Sequence, residues 1–180
     1  MRGQGHIHVI EAEPRPKPRP RSYDRKRVLA KASRARQRGK RKKAIELYRK
    51  VLADEPENFD LHRRLGPLLA ETRKRKEALI HFGQAAKGLA ARGFPDKAVG
   101  MCREAVGFYP TESAIWEAIA DLQLHRQRRA DAFGALLEGR AHMRGRRLRG
   151  KAIRLLQRAC VIEPDEADPQ IDLAKLTFAV

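Results

Sequence analysis

The chain has 180 residues, 42% of them hydrophobic, with 40 Lys or Arg against 22 Asp or Glu and a formal net charge of +18. That length suits one domain or a short array with a buried core. No run of about 18 apolar residues predicts a membrane span, and two cysteines, Cys102 and Cys160, do not make a disulfide framework.

The charge is lopsided. Between Arg15 and Lys50 there are seventeen basic and two acidic residues, whereas Val51 to Val180 carry 22 basic and 18 acidic ones. Such a field attracts an acidic partner: nucleic acid, an anionic membrane or an acidic protein tail. Compositional bias accounts for the preference for Arg over Lys. It does not account for the loss of acids between 15 and 50.

Residues 1–22 read as a basic arm. Arg2, Gly3, Gln4, Gly5, His6 and His8 interrupt any apolar core of a secretion signal, which predicts a cytoplasmic protein. Pro14, Pro16, Pro18 and Pro20 alternate with Arg15, Lys17, Arg19 and Arg21. Proline lacks an amide N–H and disfavours helix in the residue before it, so a disordered, extended and solvated segment is expected.

From about Asp24 the pattern turns helical and continues to residue 180. Val28, Ala32 and Ala35 recur at helical spacing before Gly39. Ala44, Ile45, Leu47, Tyr48, Val51 and Leu52 form the next stripe, which Pro56 ends. Leu61, Leu65, Leu68 and Leu69 mark a third helix. A long fourth, roughly 18 residues by its pattern, carries Ala78, Leu79, Phe82, Ala85 and Leu89 and stops at Gly93-Phe94-Pro95. Helices are then expected over 95–107, 113–126, about 129–146 and 149–162, with a last one capped by Asp168 ahead of Pro169. About nine helices and no strand make the chain all-α.

These elements repeat with a period of 54. Ala44, Ala98 and Ala152 share one phase and Pro56, Pro110 and Pro164 another, with Leu65/Ile119/Leu173 and Gly66/Ala120/Ala174 matching in kind. A fixed period of this length signals a stacked array, in which each unit packs on its neighbours. Cys102 and Cys160 fall on places that are apolar elsewhere, so both are expected as buried, reduced core residues.

On these residues the repeat resembles the tetratricopeptide repeat (TPR), a helix-turn-helix with small residues at its crossings and proline after its second helix. Ala32, Ala44, Val51 and Pro56 match it in a unit starting at about 25, and further units start at about 59, 79, 113, 133 and 167. Alternating starts of 34 and 20 residues make the long helix serve two overlapping units. The resemblance implies a right-handed helical-repeat solenoid over 23–180 whose first helices line a concave groove for a protein segment. Carried over by register, the groove residues are Lys26, Leu29, Ser33 and Arg36, then Asp60, Arg63 and Pro67, then Glu117, Asp121 and Leu124. The groove would be basic at its N-terminal end and acidic further on. Trp116 shares its place with His62 and Gln170; it is expected either half exposed in the groove, as a partner anchor, or packed in the core or groove wall.

No catalytic constellation stands out: hydroxyl residues are few, and no glycine-rich phosphate loop follows a strand. His6 and His8 could share a face of an extended chain but have no third metal ligand nearby. Neither a metal nor a cofactor is expected. Two basic patches remain: Lys40, Arg41, Lys42 and Lys43 with the arm, and Arg144, Arg146, Arg147 and Arg149. They fit an acidic protein partner and, as an alternative, sequence-blind contact with phosphates of nucleic acid. Tyr23 alone near the arm offers base stacking, which disfavours single-strand recognition. The apolar C-terminal stretch Leu176 to Val180 either caps the preceding helices or docks on a neighbour. The sequence therefore points to a non-catalytic protein-binding scaffold.

Overall fold

A computed structural model of the chain describes residues 23–178. The basic arm, with Arg15, Lys17, Arg19, Arg21, His6 and His8, lies outside the described residues, as do Ala179 and Val180. Among the described residues there are nine α-helices and no strand: α1 (Arg25–Gln37), α2 (Arg41–Asp54), α3 (Phe59–Glu71), α4 (Arg75–Ala91), α5 (Pro95–Phe108), α6 (Ser113–Leu124), α7 (Arg129–Ala141), α8 (Arg149–Ile162) and α9 (Ala167–Phe178).

Local chemistry sets most of the helix ends. Asp24 caps α1 by accepting from the Arg27 amide at 3.2 Å, and Asn58 caps α3 through the Leu61 amide. Gly39 and Gly93 turn the chain with φ of +70° and +79°, a region closed to most side chains. Pro95 takes the first position of α5, where its missing N–H costs nothing.

Two elements depart from the sequence reading. The helix expected over about 129–146 ends at Ala141. Gly145 then adopts φ +84°, and residues Arg146–Leu148 form a short 3-10 turn before α8. The glycine breaks the ladder that the helical pattern suggested would continue. The last helix begins at Ala167, so Pro169 sits within its first turn and Asp168 is helical rather than a cap.

The 54-residue period places α1 with α4 and α7, α2 with α5 and α8, and α3 with α6 and α9. Each helix packs on its neighbours in sequence, and α4 and α7 each pack on both the helix before and the helix after. Ala44, Ala98 and Ala152 are all fully buried; their small size lets paired helices approach closely. One continuous core runs through the array, its largest enclosed side chains being Trp116, Tyr48, Leu65, Leu69, Ile119, Leu136 and Leu155.

Close approach is sharpest where α4 and α7 meet the helices before them. A Cβ on Gly88 would stand 1.9 Å from the Phe59 ring, and one on Gly139 would stand 2.5 Å from the Trp116 ring. Glycine is required there because each aromatic lies directly on the backbone. This periodic packing of antiparallel pairs is a TPR-like helical repeat.

Candidate partner-binding surfaces

The expected groove begins on α1, where Lys26 and Arg36 are exposed and Leu29 and Ser33 half-buried. Ser33 is engaged by the protein itself. Its hydroxyl lies 3.3 Å from the Tyr48 hydroxyl and accepts from Arg64 Nη1 at 3.4 Å. Arg36 on α1 and Arg63 on α3 both act electrostatically on Glu104 of α5. Desolvation raises the Glu104 carboxyl above its usual range, and the two guanidinium groups oppose that rise. Three helices thus contribute charge to one area. Glu104 escaped the sequence reading because the groove register took only first helices.

One alternative for the groove is decided and two expectations need correction. Of the two places open to Trp116, it takes the core one and is fully buried. Its indole donates Nε1–H to the Pro110 carbonyl at 2.9 Å, it stacks on His142 at 5.6 Å, and the Arg103 guanidinium lies over its ring. The side chain is therefore core, and no partner reaches it as an anchor. Pro67 is buried inside α3. The acids beyond it are neutralised from within: Glu117 pairs with Arg154 at 3.6 Å and Arg158 at 3.9 Å, and Asp121 pairs with Arg158. Charge supplied by α8 removes the acidic end that α6 alone suggested.

The basic patches divide in the same manner. Arg41 pairs with Glu71, while Lys40, Lys42 and Lys43 make no ion pair among the described residues. Arg149 donates to the carbonyls of Leu176 at 2.6 Å and Thr177 at 3.3 Å, so it caps the C-terminal end of α9. Arg144 donates to the Ala141 carbonyl at 3.2 Å. Arg146 and Arg147 have no ion pair among the described residues.

Cys102 is buried and Cys160 half-buried, both as free thiols. Burial pushes the Cys102 thiol up to about 11. Among the described residues no group of three or more His, Cys, Asp or Glu is placed to hold a metal ion, and no helix is long and apolar enough to cross a membrane.

No protein-family profile matches the chain, and no curated protein matches it. Solved structures similar to it include a MamA protein at 13% identity and a TM-score of 0.40, covering 86% of this chain and 90% of that one. Another is MamA from residue 41 onwards of Desulfovibrio magneticus RS-1, at 13% identity and a TM-score of 0.37 over 85% of this chain and 93% of that one. A third is YrrB, described as a TPR protein with an unusual peptide-binding site, at 13% identity and a TM-score of 0.33 over 83% and 91%. At these scores the description rests on the chain's own packing: the fold is a TPR-like helical repeat.

Proposed function

We propose that the protein is a non-catalytic scaffold that binds a segment of another protein along the face shared by α1, α3 and α5. The observation that carries this reading is that exposed Arg36 of α1 and Arg63 of α3 both lie near enough to exposed Glu104 of α5 to act on its carboxyl. An array built from repeated helices presents an extended surface, and such surfaces serve recognition. Lys26 and Leu29 extend the area along α1. The basic residues Arg15, Lys17, Arg19 and Arg21 add electrostatic steering toward an acidic partner.

The test is a selection of random 12-residue peptides on the full-length protein, followed by affinity measurement for the enriched sequences. Peptides that lose at least tenfold in affinity to the Arg36→Glu/Arg63→Glu variant support the reading. Failure to enrich any peptide, or equal binding to the variant, removes it.

A further inference from the structure

A second surface, on the other side of α1, is independent of the groove. At 100° per residue, Arg27, Lys31, Arg34 and Arg38 fall on the face of α1 opposite Lys26, Leu29, Ser33 and Arg36. All four are exposed, and none makes an ion pair among the described residues. Lys31, Arg34 and Arg38 join Lys40, Lys43 and Leu47 around a recess of about 360 Å³ between α1 and α2, with no acid in its wall.

The repeat shows what this face is for. In the inner units the matching positions touch the helix that precedes them. Arg27 corresponds to His81, which meets His62 of α3 at 2.8 Å. Arg34 corresponds to Gly88, against which Phe59 of α3 lies, and to His142, which stacks on Trp116 of α6. Lys31 corresponds to Gly139, also under Trp116. On α4 and α7 this face is the seat of another helix. On α1, among the described residues, nothing occupies it.

Two basic positions sharpen the point. Arg38 corresponds to Arg92, which reaches Asp60 in the first turn of α3 at 3.9 Å. Lys43 corresponds to Lys151, which pairs with Glu112 at the N-cap of α6 at 3.2 Å. In both inner units, then, a cation from this set binds an acid at the start of the seated helix. In the first unit the cations are present, and among the described residues no acid meets them.

A polar end-cap alone does not explain the pattern. Terminal repeats need a polar outer face, and either sign of charge provides one. Here every charge is positive. The first turn of α1 contains no acid, although cations there oppose the helix dipole.

We propose that this face of α1 is a docking site for an acidic amphipathic helix of a partner protein, seated as α3 is on α4 and α6 on α7. The stripe from Arg27 to Arg38 spans about 16 Å, three turns of such a helix. The inner small residues Ala85, Gly88 and Gly139 are replaced by Lys31 and Arg34, so the guest is held by charge across extended side chains rather than by close backbone contact. An apolar helix would leave four cations desolvated without partners. No aromatic side chain lines the recess, which disfavours stacked bases.

The experiment uses the full-length protein and a fluorescein-labelled, alanine-based helical peptide carrying Glu at positions i, i+4, i+7 and i+11. A peptide of equal composition with its Glu scattered around the helix, and an oligo-dT of equal charge, serve as comparisons. The face-patterned peptide is expected to bind at least tenfold more tightly than both. The Lys31→Glu/Arg34→Glu variant, or the milder Lys31→Gln/Arg34→Gln pair, is expected to lose that binding at unchanged melting temperature, and Arg146→Glu/Arg147→Glu to keep it. Equal affinity for the two peptides, tighter binding of oligo-dT, or retention by the α1 variants overturns the proposal. So does self-association of the protein that the α1 variants abolish, since the seat would then hold a second copy. The groove variant Arg36→Glu/Arg63→Glu should leave this binding intact, so the two surfaces fail or stand separately.

Discussion

Trp116 donates its indole N–H to the carbonyl of Pro110 at 2.9 Å, and the bond recurs along the array with different chemistry. His62 stands 54 residues earlier and binds the Pro56 carbonyl through Nε2 at 2.9 Å. Gln170 stands 54 residues later and donates to the Pro164 carbonyl. Indole, imidazole and amide share one property that matters here, an N–H at reach. The place looks unrelated in sequence and performs one task in structure: it satisfies the carbonyl of the proline that ends the preceding helix.

This makes Trp116→Phe more damaging than its conservative appearance suggests. The variant keeps an aromatic ring, though a smaller one, and leaves the Pro110 carbonyl without its donor, at a cost of about 1–3 kcal/mol. Trp116→Ala should lose about 3–5 kcal/mol. Urea unfolding measures both. In the native protein this sole tryptophan should emit at short wavelength and shift red on unfolding, since it is fully buried.

A pH dependence follows from the His62–His81 pair. With His62 Nε2–H donating to the Pro56 carbonyl at 2.9 Å, its Nδ1 is left to accept from His81 Nδ1–H at 2.8 Å. Desolvation, the neighbouring His62 and Arg49 depress His81 from 6.5 to about 4. The unfolded chain therefore binds a proton more readily between pH 6.5 and 4. This contribution to stability is complete above about pH 6.5 and drains away as pH falls toward 4. Thermal melting across pH 4–8 should show the decline, and His81→Gln should flatten it.

Two glycines of α4 should respond in opposite directions to alanine. A Cβ at Gly88 would collide with the Phe59 ring at 1.9 Å, so Gly88→Ala should cost about 1–3 kcal/mol. Gly83 has nothing within 4 Å of its added Cβ, so Gly83→Ala should gain up to about 1 kcal/mol from helix propensity. Chemical denaturation of the pair decides whether packing or propensity governs each site.

The two thiols should differ in reactivity. Cys102 is buried and raised to about 11, while Cys160 is half-buried. A disulfide-exchange reagent at pH 8 should titrate one thiol quickly in the native protein and both after denaturation. Cys102→Ser should leave the fast phase intact, and Cys160→Ser should remove it.

Much of this architecture is written locally in the chain. Gly39, Pro56, Gly93-Phe94-Pro95 and Pro110 end or start helices by their own backbone geometry, so helix number, order and the 54-residue register follow from the sequence. Tertiary structure decided what depends on which helix stands beside which. Trp116 became core because Gly139 of α7 lets its ring lie against the backbone. Glu117 and Asp121 are paired by Arg154 and Arg158 of α8, which stand some 37 residues away in sequence. Among the described residues Arg27, Lys31, Arg34 and Arg38 make no ion pair for the same reason: their counterparts on α4 and α7 meet a preceding helix. A charge is visible in sequence, but whether it is matched depends on a neighbour brought close only by folding.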